Sequence, residues 1–481
     1  MALPRHPRLE ALSLQLMDTI IGDEGGAALA AAIGSCPALT SVELNVGGTA
    51  VTDAFGWTFG EAIRRNCALE HVSIDLSAAP VTDASFVAMA DAIADHQRLR
   101  SFMFKADQTG LGHNIGVLFS RAIRQAPSLR VLELDLSDTH AGSCFASSLG
   151  AAVAASRTLE GFKFCASGTA LADRGGIALA GALKASATLR SFKLYLEDTR
   201  ISDHTGIALA HGIHRAPALR TFVLRATGTR LTDVSVTHLA DAAKASALEC
   251  FVLGMSGTEV TDTSLEAMAH AAQRHPTLQE VVFEAVGTRI SDDAGVAVEK
   301  ALAQSSGLRS LSLGLGSTEI GDEFVARVAS GLAVNRGLAE LALEAVSAQV
   351  TSAGGAAVAA AIADKATMRA LSLEFGEFDC EPRHADAMRA AFACNPVLQE
   401  LSCDSCERSW CQDLTKRNRE IHEQGRALAR LARWVDDVAF DSLAERHFRA
   451  TIFRYFLPRG CAMLPVDFLL GDCGAPNTGG C

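Results

Sequence analysis

The chain has 481 residues, 49 % of them apolar but only 6 % aromatic, with 43 Lys and Arg against 55 Asp and Glu. Its net charge of −12 argues against a nucleic-acid binder, which carries a basic excess, and no run nears the apolar length of a membrane span. Thirteen cysteines, an odd number scattered along the chain, suit a reducing compartment better than a disulfide framework.

Residues 1–8 form a short lead without the apolar stretch of a secretory signal, so a cytoplasmic protein is expected, with the nucleus as the other compartment. At Leu9 a repeat begins. Its opening residue returns at Leu39, Leu69, Leu99, Leu129, Leu159, Leu189, Leu219, Leu248, Leu278, Leu308, Leu338, Met368 and Leu398. The step is 30 residues throughout, apart from one of 29 between Leu219 and Leu248. A constant period of this size marks a solenoid rather than a string of separate cores.

Each copy opens with alternating apolar residues, as in Leu129, Leu132, Leu134 and Leu136, which is a strand with one face buried. Ten residues after the opening leucine stands Thr in ten of thirteen copies (Thr139, Thr169 and Thr199 among them), often behind Gly, so the chain turns there. An aliphatic residue and a Ser-Asp or Thr-Asp pair follow. The carboxylates of Asp203, Asp233, Asp262 and Asp292 are expected to accept the first free N–H groups of a helix. Apolar residues then recur at helical spacing, as at Ile207, Leu209, Ala210 and Ile213.

The stretch from Ile20 to Ile33, IIGDEGGAALAAAI, resembles the helical half of the ribonuclease-inhibitor class of leucine-rich repeats. The same class forms the C-terminal sensor of NOD-like receptors and the body of Ran GTPase-activating protein. The resemblance covers residues 9–411. It implies an α/β horseshoe of 13 to 14 repeats, with an inner parallel sheet and outer helices. That family places Asn or Cys after the strand, where it bonds neighbouring backbone; here Thr stands in that turn, so a ladder of threonines is expected.

Two copies depart from the pattern, with His113 in place of Asp and the sequence HAGS at His140–Ser143. The copies at Met368 and Leu398 degrade further, with Cys380-Glu381-Pro382 where the helix start belongs. Solenoids need polar ends; the N-terminal end is closed either by the short lead or by an upstream segment. Residues 412–457 read as a helical C-terminal cap, and residues 458–481 as a flexible tail.

No nucleophile elbow, phosphate loop or zinc-protease motif is present, so no catalytic residue and no cofactor is assigned. Cys403, Cys406 and Cys411 have partial metal-like spacing, but a fourth ligand is missing from the pattern. Cys403 reads more simply as an inward strand residue in the place that Leu373 holds one repeat earlier, and no metal is assigned.

The inner face is where function is expected. Its middle carries Arg100, Lys105, Arg130, Lys163, Arg190, Lys193, Tyr195, Arg220 and Arg225, diluted by Glu133 and Asp135. Its C-terminal third carries Glu280, Glu284, Glu340, Glu344, Glu374, Glu400 and Asp404. This segregation reads as a docking groove for a protein partner, without nucleic acid or membrane, in a non-enzymatic scaffold. Two alternatives follow from the resemblance. One is a GTPase activator of the Ran type, against which the non-acidic tail counts; the other is the sensor fragment of a NOD-like receptor.

Overall fold

A computed structural model describes residues 8–112, 114–363, 365–376, 382–404 and 410–423. Among them, fourteen strands form one sheet in sequence order, every neighbouring pair parallel. The strands are β1 Ala11–Gln15, β2 Ser41–Asn45, β3 His71–Asp75, β4 Ser101–Lys105, β5 Val131–Asp135, β6 Gly161–Cys165 and β7 Ser191–Tyr195. They continue as β8 Thr221–Arg225, β9 Cys250–Gly254, β10 Glu280–Glu284, β11 Ser310–Gly314, β12 Glu340–Glu344, β13 Ala370–Glu374 and β14 Glu400–Cys403. A helix follows each of the first thirteen strands, from α1 (Asp23–Gly34) through α6 (Asp173–Ala185), α7 (Asp203–His214) and α8 (Asp233–Lys244) to α13 (Pro382–Cys394). The chain is thus a leucine-rich-repeat solenoid of α/β units, each paired only with its neighbours.

The period explains this order. Every opening residue from Leu39 to Leu398 is at most 2 % exposed, while Leu9, in the first described repeat, is partly buried. In β7 the alternation buries Phe192 and Leu194 and leaves Ser191, Lys193 and Tyr195 on the helix-free face. Since the register advances by one full repeat, equivalent side chains stack along the solenoid. Phe162, Phe192, Phe222 and Phe251 form such a row, with ring centroids 5.4, 6.3 and 6.1 Å apart. The 29-residue step costs nothing in the sheet, because Thr221 still pairs with Cys250; the missing residue comes out of the link between α8 and β9.

Helices pack side by side because small residues face one another. A Cβ on Gly176 would come within 2.4 Å of the Thr205 side chain, and one on Gly206 within 2.2 Å of Ser235. Two repeats begin this layer with a 3-10 turn instead of an α-turn, at Asp83–Phe86 and Asp292–Ala294.

The aspartates at the helix starts act differently from the expectation. In several repeats the side-chain cap is the residue before Asp: Thr232 Oγ1 accepts from the Val234 N–H at 3.3 Å, and Thr261 does the same for Thr263 at 3.4 Å. The Asp instead reaches into the next repeat. Asp173 accepts the Ser202 N–H at 2.8 Å and its hydroxyl at 2.5 Å, and also the Thr205 hydroxyl at 2.7 Å. Asp203 takes the Thr232 N–H and hydroxyl at 2.9 and 2.7 Å together with the Ser235 hydroxyl; Asp233 repeats the pattern on Thr261 and Ser264. A carboxylate has acceptor sites to spare beyond its own helix, and two hydroxyls plus one N–H fill them. Where Asp is lost, Ser143 takes over, accepting the Ala172 N–H at 2.9 Å.

The threonines are likewise reassigned. Each hydroxyl bonds within its own repeat, to the carbonyl three residues back, as Thr139 does to Leu136 at 2.6 Å and Thr199 to Leu196 at 2.7 Å. They staple a turn whose preceding residue is left-handed, so they do not build the ladder expected of them. The inter-repeat ladder of amides lies in the loop before the strand. Asn66 Nδ2 donates to the Ile33 and Cys36 carbonyls, both at 3.0 Å, and Asn335 and Asn395 donate in the same way. His96 and His275, both buried, use their rings at this position.

Helix 410–423 sits against the last repeat: Asn418 donates to the Asn395 and Leu398 carbonyls at 3.0 and 2.8 Å, and Leu414 is buried. The remainder of the expected cap, the tail, and most of the lead over residues 1–8 lie outside the described residues, as do His113, Cys380, Glu381 and Cys406.

Burial works against ionisation at Asp173 and Asp203, yet the hydrogen bonds from Ser202 and Thr205, and from Ser235 and Thr232, outweigh it and hold both carboxyls below their usual range. A depressed carboxyl stabilises the fold above its unfolded value, near 3.9, and ceases to do so as pH falls through the lower folded value. Urea midpoints should therefore hold steady down to about pH 4 and drop below it. A midpoint that rises on acidification would contradict the clamp. A second check contrasts two glycines. Gly168 has φ +69°, and a Cβ there would lie 2.0 Å from Asp138 Oδ1, whereas a Cβ on Gly181 meets nothing within 4 Å. Gly168→Ala should cost about 1–3 kcal/mol and Gly181→Ala should be neutral or stabilising by up to about 1 kcal/mol, both read from the same midpoints.

Candidate functional site

The helix-free face is built from three residues of each strand, the second, fourth and sixth after the opening leucine. The first residue after that leucine lies just before the strand, along the sheet's edge. The structure sorts the expected site residues into these two sets. Arg100, Arg130, Arg190 and Arg220 belong to the edge row; Lys105, Lys163, Lys193, Tyr195 and Arg225 stand on the face, as do Glu280, Glu284, Glu340 and Glu344.

Along the edge, pairs of arginines stand between single glutamates, in the order Glu70, Arg100, Arg130, Glu160, Arg190, Arg220, Glu249. Arg98 and Arg100 meet Glu70 at 2.8 and 3.1 Å, Arg130 meets Glu160 at 3.1 Å, and Arg220 meets Glu249 at 3.5 Å. The hydrogen bond from Arg98, with the charge of Arg100 beside it, holds the Glu70 carboxyl below its usual range. Among the described residues Arg190 has no acidic partner.

On the face the strongest contact crosses two strands. Arg225 in β8 reaches Glu284 in β10 at 2.9 Å. The intervening strand supplies Gly254, above which the Arg225 stem passes; a Cβ there would come within 3.2 Å of it. Arg225 is therefore neutralised by the start of the acidic third, and the basic middle is narrower than the sequence pattern suggests. What remains is Lys163 and Lys193, directly paired across β6 and β7, with Tyr195 beside them. Lys163 Nζ lies 5.1 Å from the Tyr195 ring centre and 3.9 Å from Glu133. Lys193 has no ion pair among the described residues, and its other strand neighbour is Val223. Lys105 lies between Asp75 and Asp135 on the adjoining strands.

The acidic third is sparser in contacts. Glu344 and Glu374 stand next to each other on β12 and β13, both exposed, and Glu280, Glu340 and Glu400 are exposed as well. Asp404 is used internally, accepting the Phe375 and Gly376 N–H groups at 2.6 Å each.

Two cysteines on the face, absent from the expected set, are Cys165 and Cys250. Burial, reinforced by the charge of Asp135, pushes the Cys165 thiol up to about 12; burial and a hydrogen bond to Glu280 do the same for Cys250. Cys403 occupies the strand position paired with Leu373 and is buried, as is Cys411. Among the described residues no group of His, Cys, Asp and Glu is placed to hold a metal, and no helix is long and apolar enough to cross a membrane.

No protein-family model matches the chain, and no curated protein matches it. Among solved structures, the complex of Rad7 and Elc1 from yeast overlaps it with a TM-score of 0.47 at 14 % identity, covering 81 % of this chain and 85 % of that one. An internalin from Listeria monocytogenes overlaps with a TM-score of 0.42 at 16 % identity, covering 77 % and 88 %. The architecture is read from this chain's own strand and helix order, which defines a leucine-rich-repeat solenoid.

The site makes two checkable statements. At pH 8 a thiol titrating near 12 is ionised in only about one molecule in ten thousand. Cys165 and Cys250 should therefore stay unmodified by a disulfide reagent while the exposed Cys67 and Cys144 react, as followed by mass spectrometry; prompt labelling of Cys165 would contradict its placement. A double-mutant cycle on Arg225→Ala and Glu284→Ala should show a coupling of about 0.2–1 kcal/mol, since both side chains keep a third of their surface in water. Zero coupling would mean that the two do not meet.

Proposed function

We propose that the chain is a non-enzymatic protein-interaction solenoid of the ribonuclease-inhibitor-like type, which binds a protein partner across its helix-free face. The observation that carries this reading is the Lys163–Lys193–Tyr195 cluster, an aromatic ring flanked by two adjacent ammonium groups. Adjacent like charges oppose one another in the unbound chain, and a partner's carboxylates would offset that repulsion. Tyrosine adds a broad contact area at little entropic cost. Toward β14 the same face carries exposed carboxylates, so a partner with an acidic and a basic end would be oriented along the sheet. Charge patterns of this kind steer encounter and fix register more than they add affinity.

The repeat architecture supports the reading, because a solenoid grows an extended surface without forming a second core. The structural neighbours include one solved with a bound protein, the Rad7–Elc1 complex. Crosslinking mass spectrometry on partners captured by the full chain tests the proposal. Crosslinks should fall on Lys163 and Lys193, and Lys193→Glu with Tyr195→Ala should slow association at least tenfold at low salt while leaving the melting curve in place. Lys193 suits this test better than Arg225, whose reversal would also strand Glu284. Crosslinks confined to the outer helices, with association unchanged in the double variant, would overturn it.

A further inference from the structure

Beneath the edge row, on the side where each strand begins, lies an open cleft of about 490 Å³ that the face cluster does not reach. Arg100, Arg130, Arg157 and Arg190 line it, from four successive repeats' worth of edge and loop, with Glu160 as the one carboxylate in the lining. Four guanidinium groups against one carboxylate is an uncompensated charge of +3, in a chain whose net charge is −12. Such a concentration is not a by-product of an overall basic surface.

The partners within the cleft divide unequally. Glu160 is committed to Arg130, and Glu70, outside the cleft, serves Arg100 together with Arg98. Arg157 and Arg190 have no acidic partner among the described residues. The hydroxyls in the lining cannot supply donors either. Ser128 gives its proton to the Gln97 carbonyl, Thr158 to Leu129 and Thr188 to Leu159, at 2.7, 2.7 and 2.6 Å. The donors free to meet a ligand are therefore the guanidinium forks themselves, whose planar geometry matches paired oxygens of an oxyanion.

We propose that this cleft binds a phosphate monoester carried on a peptide segment of the protein partner, held by Arg157 and Arg190 with Arg100 and Arg130 at its margins. A single carboxylate would satisfy one fork and leave the other. A phosphate monoester carries a charge between −1.5 and −2 and three acceptor oxygens, enough to engage both at once. The cleft is open to solvent and continuous with the sheet's edge, which suits a group presented on a chain rather than an enclosed metabolite. The proposal rests on the reading of the chain as a protein-binding solenoid, but it concerns a surface distinct from the Lys163–Lys193–Tyr195 cluster and is tested without the natural partner.

The test is fluorescence anisotropy on the full chain with a labelled phosphoserine peptide, its unphosphorylated form, and inorganic phosphate as competitor. The phosphopeptide should bind at least tenfold more tightly than the unphosphorylated form, and more weakly as salt rises. The Arg157→Gln, Arg190→Gln double variant should lose at least tenfold in affinity. Arg289→Gln with Arg230→Gln, which removes the same charge from exposed positions elsewhere, should leave binding unchanged. Lys193→Glu should also leave it unchanged, which separates failure here from failure of the face as a docking surface. Equal binding of both peptides, or equal loss in the two arginine double variants, would overturn the proposal. Inorganic phosphate competing at the same concentration as the phosphopeptide would overturn the peptide-borne source.

Discussion

The carboxylate that links one repeat to the next is the constraint on which the rest of this structure depends. A single unit of 30 residues has a strand edge, an apolar helix flank and free backbone groups on both sides, and nothing within itself to satisfy them. Leucine layers supply most of the apolar burial, each fully buried side chain contributing about 1.5–3 kcal/mol. But hydrophobic contact is non-directional and tolerates slippage. Asp173, Asp203 and Asp233 do not: each binds an N–H and two hydroxyls at positions 28 to 32 residues ahead, so the next helix can start at one place only. The buried amides of Asn66, Asn335 and Asn395 perform the same service at the other end of the helix. Together they lock the register that brings Lys163 beside Lys193 and Arg225 within reach of Glu284.

The period made much of this legible before any coordinates. Opening leucines, strand alternation and the order of strands follow from spacing alone, because a buried face with period 2 and a constant step leave one parallel arrangement. Polar side chains were harder to place. Asp233 and the Thr232 before it read alike as helix caps, and only the packing of adjacent helices shows that the hydroxyl oxygen caps its own helix while the carboxylate crosses to the next. The threonines failed as a ladder for a related reason: the left-handed residue before each one folds the hydroxyl back toward its own repeat. His96 and His275 gave no signal as buried bridges, since their position shares no residue type with Asn66 although it shares the geometry.

The candidate site shows the same division. That the face is basic in its middle and acidic toward its end could be read from the strands. That Arg225 is spent on Glu284 could not, because the contact skips a strand and needs Gly254 beneath it. The cleft at the sheet's edge was hidden for another reason. Arg157 lies in a loop outside the strand pattern, and loop side chains join a site only through three-dimensional neighbours. The molecule thereby separates two cation-rich surfaces. One has an aromatic centre; the other is an open cleft lined by arginines.

The claim that the Asp link sets the register is tested most directly by amide hydrogen exchange on Asp203→Ala, resolved repeat by repeat. Removing one carboxylate leaves every leucine layer intact, so exchange should rise in α7, β8 and α8 and fade within a repeat on either side. A protection pattern indistinguishable from the unaltered chain in those segments would contradict the account, and so would a uniform loss along the whole solenoid.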